Sequence, residues 1–271
     1  MVKGLVRLGL VLGLLPALAG AVGAQTRPQA VRTEPKSFLL VGNSFFYYNN
    51  GMGSVFSNFA KAADEAEAAR YRVTMATISG SGLNWHDVDA YLRPGGGMAS
   101  YSFVGDNEVV FNTFDKPFDV VVMNDCSQCP IHPKLSGLFH DYARRHSDTV
   151  RARGAIPVLF MTWAYADRPE MTGPLAEAYV KAGRDNGVMV VPAGLAFARA
   201  LARQPTLALH AADKRHPSPA GTYLAAATLY ASIFRRSPEG LAVAMPGVDP
   251  GTAGLLRQVA WETVQEFDAA P

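Results

Sequence analysis

Three residues of this chain carry the chemistry of an activated alcohol: Ser44, His216 and Asp213. A serine hydroxyl becomes a useful nucleophile when an adjacent base takes its proton, and that base needs a partner to orient its ring. Asp213 and His216 stand three residues apart, so both side chains can project from one turn. Gly80, Asn124, Asp125 and Gln128 add hydrogen-bonding groups from other parts of the chain. A hydroxyl, a base, a carboxylate and several donors make up the equipment for acyl transfer.

Such residues act together only if the fold brings them to one place. The run Ser37 to Val41 is a short apolar segment ending at Gly42, the mark of a buried strand. Arg72 to Ile78, Phe118 to Met123, Ile156 to Thr162 and Val188 to Val191 read as further strands. Between them lie helical segments: Met52 to Arg70, Leu135 to Arg153, Gly173 to Asn186, Ala193 to Arg203, Pro219 to Phe234 and Gly251 to Phe267. Residues 100–114 hold Tyr101, Phe103, Val109, Val110 and Phe111 around Gly105-Asp106-Asn107, a hairpin inserted into this pattern. Apolar strands alternating with helices predict a mainly parallel sheet covered on both faces, an α/β/α sandwich in a single domain over residues 37–271. In open sheets of that kind, sites form beyond the carboxyl ends of the strands. Ser44 follows the first strand, Gly80 the second, and Asn124, Asp125 and Gln128 the third, while Asp213 and His216 precede a helix.

Each signal has a plainer explanation when taken alone. A serine after a glycine at a strand end commonly caps a helix, and Asp-x-x-His is a frequent surface turn. Their order along the chain is what gives them weight. No serine has glycine at both −2 and +2, which argues against the Gly-x-Ser-x-Gly elbow of ordinary α/β-hydrolases.

Val41-Gly42-Asn43-Ser44 resembles the nucleophile block of the SGNH (GDSL-type) hydrolases, usually Gly-Asp-Ser. Ile78-Ser79-Gly80-Ser81 resembles the second block of that family, whose glycine N–H faces the oxyanion. The stretch Asp213-Lys214-Arg215-His216-Pro217-Ser218-Pro219-Ala220-Gly221 is similar to the final Asp-x-x-His block. The resemblance spans Ser37 to Phe234 and implies a flavodoxin-like three-layer fold. It also implies Ser44 as nucleophile, His216 as general base and Asp213 as its orienter. The third block departs from the family's Gly-x-Asn-Asp and reads Asn124-Asp125-Cys126-Ser127-Gln128-Cys129-Pro130. Counting from Asp119 places Gln128 where the family's asparagine stands, so Gln128 is the expected amide donor to the oxyanion, with Asn124 next. The Ser44 and Gly80 N–H groups complete the expected oxyanion hole. Asn43 stands where the family carries aspartate.

Other polar residues read as structural. His86 is expected at a solvated helix start or lining the pocket, and His132, His140 and His146 on a loop and a helix surface. Trp163 and Tyr165 serve either core packing or an acyl or sugar pocket. No phosphate-binding or dinucleotide motif is present, so no cofactor is expected.

Residues 1–24 run from Lys3 and Arg7 through an apolar stretch, Leu8 to Val22, to Gly23-Ala24, the pattern of a secretory signal peptide. The polar residues 25–36 lead into the domain. Export sets the reading of Cys126 and Cys129, the only cysteines: a small loop disulfide or an unpaired thiol pair. A zinc site with His132 lacks a fourth ligand of suitable spacing. The formal charge of +2 comes from Lys3 and Arg7, and without them 23 basic residues face 23 acidic ones. The basic balance therefore belongs to the signal, and nucleic acid is not an expected partner. A small-molecule or glycan ester is, with no membrane partner once the signal is removed. The function expected is an exported serine ester hydrolase, with carbohydrate O-acetyl groups as a narrower substrate. The alternative is a non-catalytic glycan-binding or scaffold protein on a degraded hydrolase fold.

Overall fold

Strands buried on both sides need cover on both faces, and five strands form one parallel sheet here, four of them almost wholly buried and the edge strand Arg72–Thr77 only partly so. They are β1 (Ser37–Gly42), β2 (Arg72–Thr77), β5 (Val120–Met123), β6 (Ile156–Phe160) and β7 (Met189–Val191), in the order β2-β1-β5-β6-β7. The computed structural model describes residues 34–94, 101–112 and 114–270. The signal segment 1–24, the leader as far as residue 33, and residues 100 and 113 of the expected hairpin lie outside the described residues.

Alternate side chains of each strand enter different cores. Phe38 and Leu40 of β1 join Val120 and Val122 of β5 on one face, against α2 (Met52–Ala63), α6 (Ala193–Arg203), α7 (Pro219–Phe234) and α8 (Pro250–Ala269). Leu39, Val41, Val121 and Met123 point the other way, against α3 (Val88–Leu92), α4 (Ser136–Ala152) and α5 (Thr172–Asn186). The result is a three-layer α/β/α sandwich of flavodoxin-like strand order. β3 (Tyr101–Gly105) and β4 (Glu108–Phe111) form a separate antiparallel hairpin.

The chain leaves β1 for β2 on one side and later places β5 on its other side. The loops after β1 and β5 therefore diverge, which opens a crevice at the carboxyl edge. One helix is shorter than its apolar pattern predicts: α2 stops at Ala63 rather than running to Arg70, and a 3-10 turn covers Glu65–Arg70. The cause is distant in sequence. Asp64 leaves helical geometry because its carboxylate is held by Lys36 Nζ at 2.6 Å and by the Tyr71 hydroxyl at 3.3 Å.

Candidate active site

The loop after β1 is built around a close backbone approach. A Cβ on Gly42 would lie 1.6 Å from Asn124 Oδ1, so only glycine fits there. Asn43 then turns extended and caps the four-residue helix α1 (Ser44–Tyr47), its Oδ1 accepting from Phe45 N at 3.2 Å. Its amide donates to Ser81 O at 2.9 Å and to Asp125 O at 3.1 Å. One buried side chain thus ties together the loops that follow β1, β2 and β5. A carboxylate has no hydrogen to give to two carbonyls, which accounts for asparagine at this position.

Ser44 is the first residue of α1, and its Oγ lies 2.8 Å from His216 Nε2. On the far side of the ring, His216 Nδ1 is hydrogen-bonded to Asp213 Oδ2. The other Asp213 oxygen accepts from the backbone N–H groups of Arg215 at 2.9 Å and His216 at 3.0 Å. That turn needs Lys214 in the left-handed region, at φ +66°. Bonding from the His216 side chain, reinforced by those N–H groups, brings the Asp213 carboxyl down to about 2, so it is ionised at neutral pH. The imidazole is held by rings as well. Tyr48 stacks on it at 4.1 Å and Phe45 meets it edge-on at 5.8 Å. Trp163 Nε1 donates to Arg215 O at 3.0 Å, and the Asn49 amide to Pro217 O at 2.9 Å, fastening the turn from both sides. Ser218 caps α7 with Pro219 in its first turn, and that helix is buried almost all round. The histidine turn therefore rests on one of the best-packed elements of the fold. Chemically, a hydroxyl bonded to an imidazole that is oriented by a carboxylate can serve as a nucleophile.

The donor side is more varied. Gly80 occupies the left-handed region at φ +70° in a turn closed by Ser81 N on Ile78 O, the pattern of a type II turn. It is exposed, and a Cβ built on it would touch nothing within 4 Å, so the turn geometry requires the glycine. Asn124 is fully buried, with its amide 3.4 Å from Asn43 Oδ1 and its own Oδ1 unpartnered. In that place it braces the Ser44 loop from beneath and is closed to a substrate oxygen. Gln128 is half-buried in the loop after β5, and its side-chain amide has no partner among the described residues. Cys126 and Cys129 form a disulfide that closes this loop around it. Asp125 is buried, and desolvation raises its carboxyl to about 6 although it accepts from Leu83 N and Cys126 N. Asp125, Cys126 and Cys129 lie close together, but both sulfurs are bonded to each other and are not free thiolates.

Two histidines expected at the surface are not there. His86 is 5% exposed, with Nε2 3.0 Å from Ser81 Oγ and Nδ1 3.3 Å from the Tyr91 hydroxyl. Burial, with His146 nearby, lowers it to about 4. His146 is 7% exposed, bonded through Nε2 to Leu83 O at 2.9 Å. Its place was visible in the pattern: Phe139, Ala143, His146, Ser147 and Val150 form the buried stripe of α4. Trp163 is a core residue, stacked between Phe45 and Phe197. Tyr48 is a site residue that the sequence pattern did not single out, and the sequence marked Asn43 only as a departure from the family's aspartate, with no sign that it ties the loops together.

No protein-family model matches the sequence, and no curated protein matches it. Solved structures do. A DUF4886 family protein from Bacteroides uniformis is similar at TM-score 0.58 and 19% identity, over 85% of this chain and 95% of that one. A protein from Slackia heliotrinireducens provisionally described as an SGNH hydrolase gives TM-score 0.55 and 23% identity, over 74% of this chain and all (100%) of the other. A GDSL-like lipase from Parabacteroides merdae, likewise provisionally described, gives TM-score 0.54 and 13% identity over 78% and 100%. These likenesses define the class: this chain has the SGNH-hydrolase fold.

Proposed function

We propose that the protein is an exported serine ester hydrolase that works through an acyl-enzyme. The observation that carries this reading is the 2.8 Å contact from Ser44 Oγ to a histidine whose other nitrogen is held by Asp213. Ser44 Oγ attacks the ester carbonyl as its proton passes to His216 Nε2. The oxyanion is held by the N–H groups of Ser44 and Gly80 and by the Gln128 amide. His216 then gives the proton to the departing alcohol, and water hydrolyses the acyl-enzyme by the same route in reverse order. The disulfide supports export, because such bonds persist in oxidising compartments. The narrower substrate, an O-acetylated carbohydrate, is supported by the exposed rings of Tyr47 and Trp85 on the loops after β1 and β2, flat apolar faces that suit a sugar ring.

Replacing Ser44 with alanine is expected to lower kcat on p-nitrophenyl acetate by roughly 10⁴-fold or more, with the melting temperature close to the parent's. A fluorophosphonate probe should label Ser44 in the parent only. Retained turnover in the variant would overturn the assignment, and an unlabelled, inactive parent would favour the non-catalytic glycan-binding alternative.

A further inference from the structure

The loop after β2 contains a second serine–histidine contact, fully enclosed and distinct from the first. Ser81 Oγ donates to Gly42 O at 3.0 Å. With its one hydrogen spent there, Ser81 Oγ can only accept from His86, so His86 Nε2 carries the proton of that 3.0 Å bond. Nδ1 is then the bare nitrogen, and it accepts from the Tyr91 hydroxyl at 3.3 Å. A directed chain results: Tyr91 to His86 to Ser81 to the carbonyl of Gly42, two residues before Ser44.

The other polar groups of Ser81 are engaged as well. Its N–H bonds to Ile78 O at 3.2 Å, and its carbonyl accepts from the Asn43 amide at 2.9 Å. Gly80 directly precedes this fully tied residue, and nothing packs where a side chain on Gly80 would be. The turn that carries the Gly80 N–H is therefore held from both ends, by Ser81 on one side and on the other by Ile78 N on Gly42 O at 3.0 Å and the Tyr47 hydroxyl on Ser79 Oγ at 3.1 Å. His86 is itself anchored by its N–H on Leu83 O at 3.2 Å, while Leu83 N bonds to Asp125 Oδ1 and Leu83 O accepts from His146.

We propose that His86 is a positioning residue for acyl transfer: through Ser81 it fixes the turn that presents the Gly80 N–H and the carbonyl of Gly42 beneath the nucleophile. This rests on the ester-hydrolase reading above. His86 touches no substrate, and its buried place excludes it from acting as a base for Ser44. Its contribution is to hold two loops in register while the charge on the carbonyl oxygen develops.

The test compares His86→Leu with His86→Gln, whose amide can donate to Ser81 Oγ as Nε2–H does. Turnover of p-nitrophenyl acetate is normalised to the number of sites titrated with a fluorophosphonate. His86→Leu is expected to lower kcat per titrated site by roughly 10- to 100-fold, the scale of a small misplacement at a reacting centre, with KM within about 2-fold. His86→Gln should recover most of that loss. Ser81→Ala cuts the same chain at its other end, should lower kcat in the same way, and serves if the leucine variant does not fold. A residue needed only for stability would reduce the number of titrated sites and leave turnover per site unchanged, which would overturn the proposal. One readout is independent of activity: ¹⁵N NMR should report the Nε2–H tautomer for His86, and His86→Leu should shift the Gly80 amide resonance. An inactive parent with this NMR signature would refute the esterase reading and with it a role for His86 in acyl transfer, leaving only the hydrogen-bonded chain. The opposite tautomer, or an unmoved Gly80 amide, would overturn the positioning role.

Discussion

Two serine–histidine pairs of nearly equal length lie among the described residues, 2.8 Å for Ser44 with His216 and 3.0 Å for Ser81 with His86. Their surroundings give them opposite chemistry. The Ser44 hydroxyl is bonded to an imidazole backed by an ionised carboxylate, and the imidazole lies partly open under a stacked tyrosine. The Ser81 hydroxyl has already given its hydrogen to Gly42 O, and its histidine has a phenol behind it in place of a carboxylate. Burial there favours the neutral ring, so His86 would hold an abstracted proton poorly. Proximity of a serine to a histidine is thus insufficient for a nucleophile. In the proposed reading, the third group and the route to solvent decide the outcome.

The sharpest way to break this comparison, after removal of Ser44 itself, is to make the first pair resemble the second. Asp213→Asn keeps the shape of the turn but replaces the charge behind His216 and permits the wrong tautomer. The expected loss in kcat is about 10³- to 10⁴-fold, with little change in melting temperature because Asp213 lies at the surface, its side chain 43% exposed. Steady-state kinetics between pH 6 and 9 measures it. A loss below about 10-fold would mean that Asp213 does not orient the base.

A smaller effect is expected where the two pairs are joined. Asn43 donates to Ser81 O and Asp125 O and caps the helix that begins at Ser44. Asn43→Asp restores the residue more usual in Gly-Asp-Ser, yet it sets a carboxylate against two carbonyls. Each buried acceptor left without its donor costs about 1–3 kcal/mol, so the variant should unfold at lower urea. The defect should ease on acidification, because the substituted carboxyl group regains one donor once it is protonated. Equal stability of parent and variant at pH 8 would show that the amide hydrogens are not needed.

What was legible in the sequence was local. The alternation of apolar strands with helices predicts the five-stranded sheet, and Ser218-Pro219 marks the start of α7. Ser44, Asp213 and His216 stand out because each lies in a short motif beside a strand or helix end, and the fold brings them together. What was hidden depends on partners far along the chain. Asp64 ends α2 because Lys36 and Tyr71 reach it. Asn43 acts through carbonyls 38 and 82 residues away. His86 looks like a surface residue beside Asn84 and Asp87 until α4 covers it with His146. Counting along the chain favours Gln128 over Asn124 without a physical reason, since only the packing of Asn124 against Gly42 separates a brace from an available amide.

The buried ionisable groups behind the site give the finest discrimination. His86 sits near 4 in the fold against an ordinary 6.5, so between those values the unfolded chain binds more protons and stability falls as the pH is lowered. His146, also lowered by burial, acts in the same direction. Asp125 opposes them: held near 6 against an ordinary 3.8, it keeps its proton in the fold after the unfolded chain has lost it, so stability rises as the pH is lowered through that window. The effects of His86 and Asp125 amount to at most roughly 3 kcal/mol each, and they largely offset one another between about pH 4 and 6. Substituting one partner should therefore expose the other. Asp125→Asn is expected to lose stability more steeply than the parent as pH is lowered from 6.5 to 4, whereas His86→Gln is expected to lose less than the parent or to gain. Urea midpoints at pH 4.5, 5.5 and 6.5 measure both slopes. Parallel slopes in the three proteins would mean that neither group is held away from its ordinary protonation, and that the enclosed pair differs from the open one only in its third group, the engaged Ser81 hydroxyl and its access.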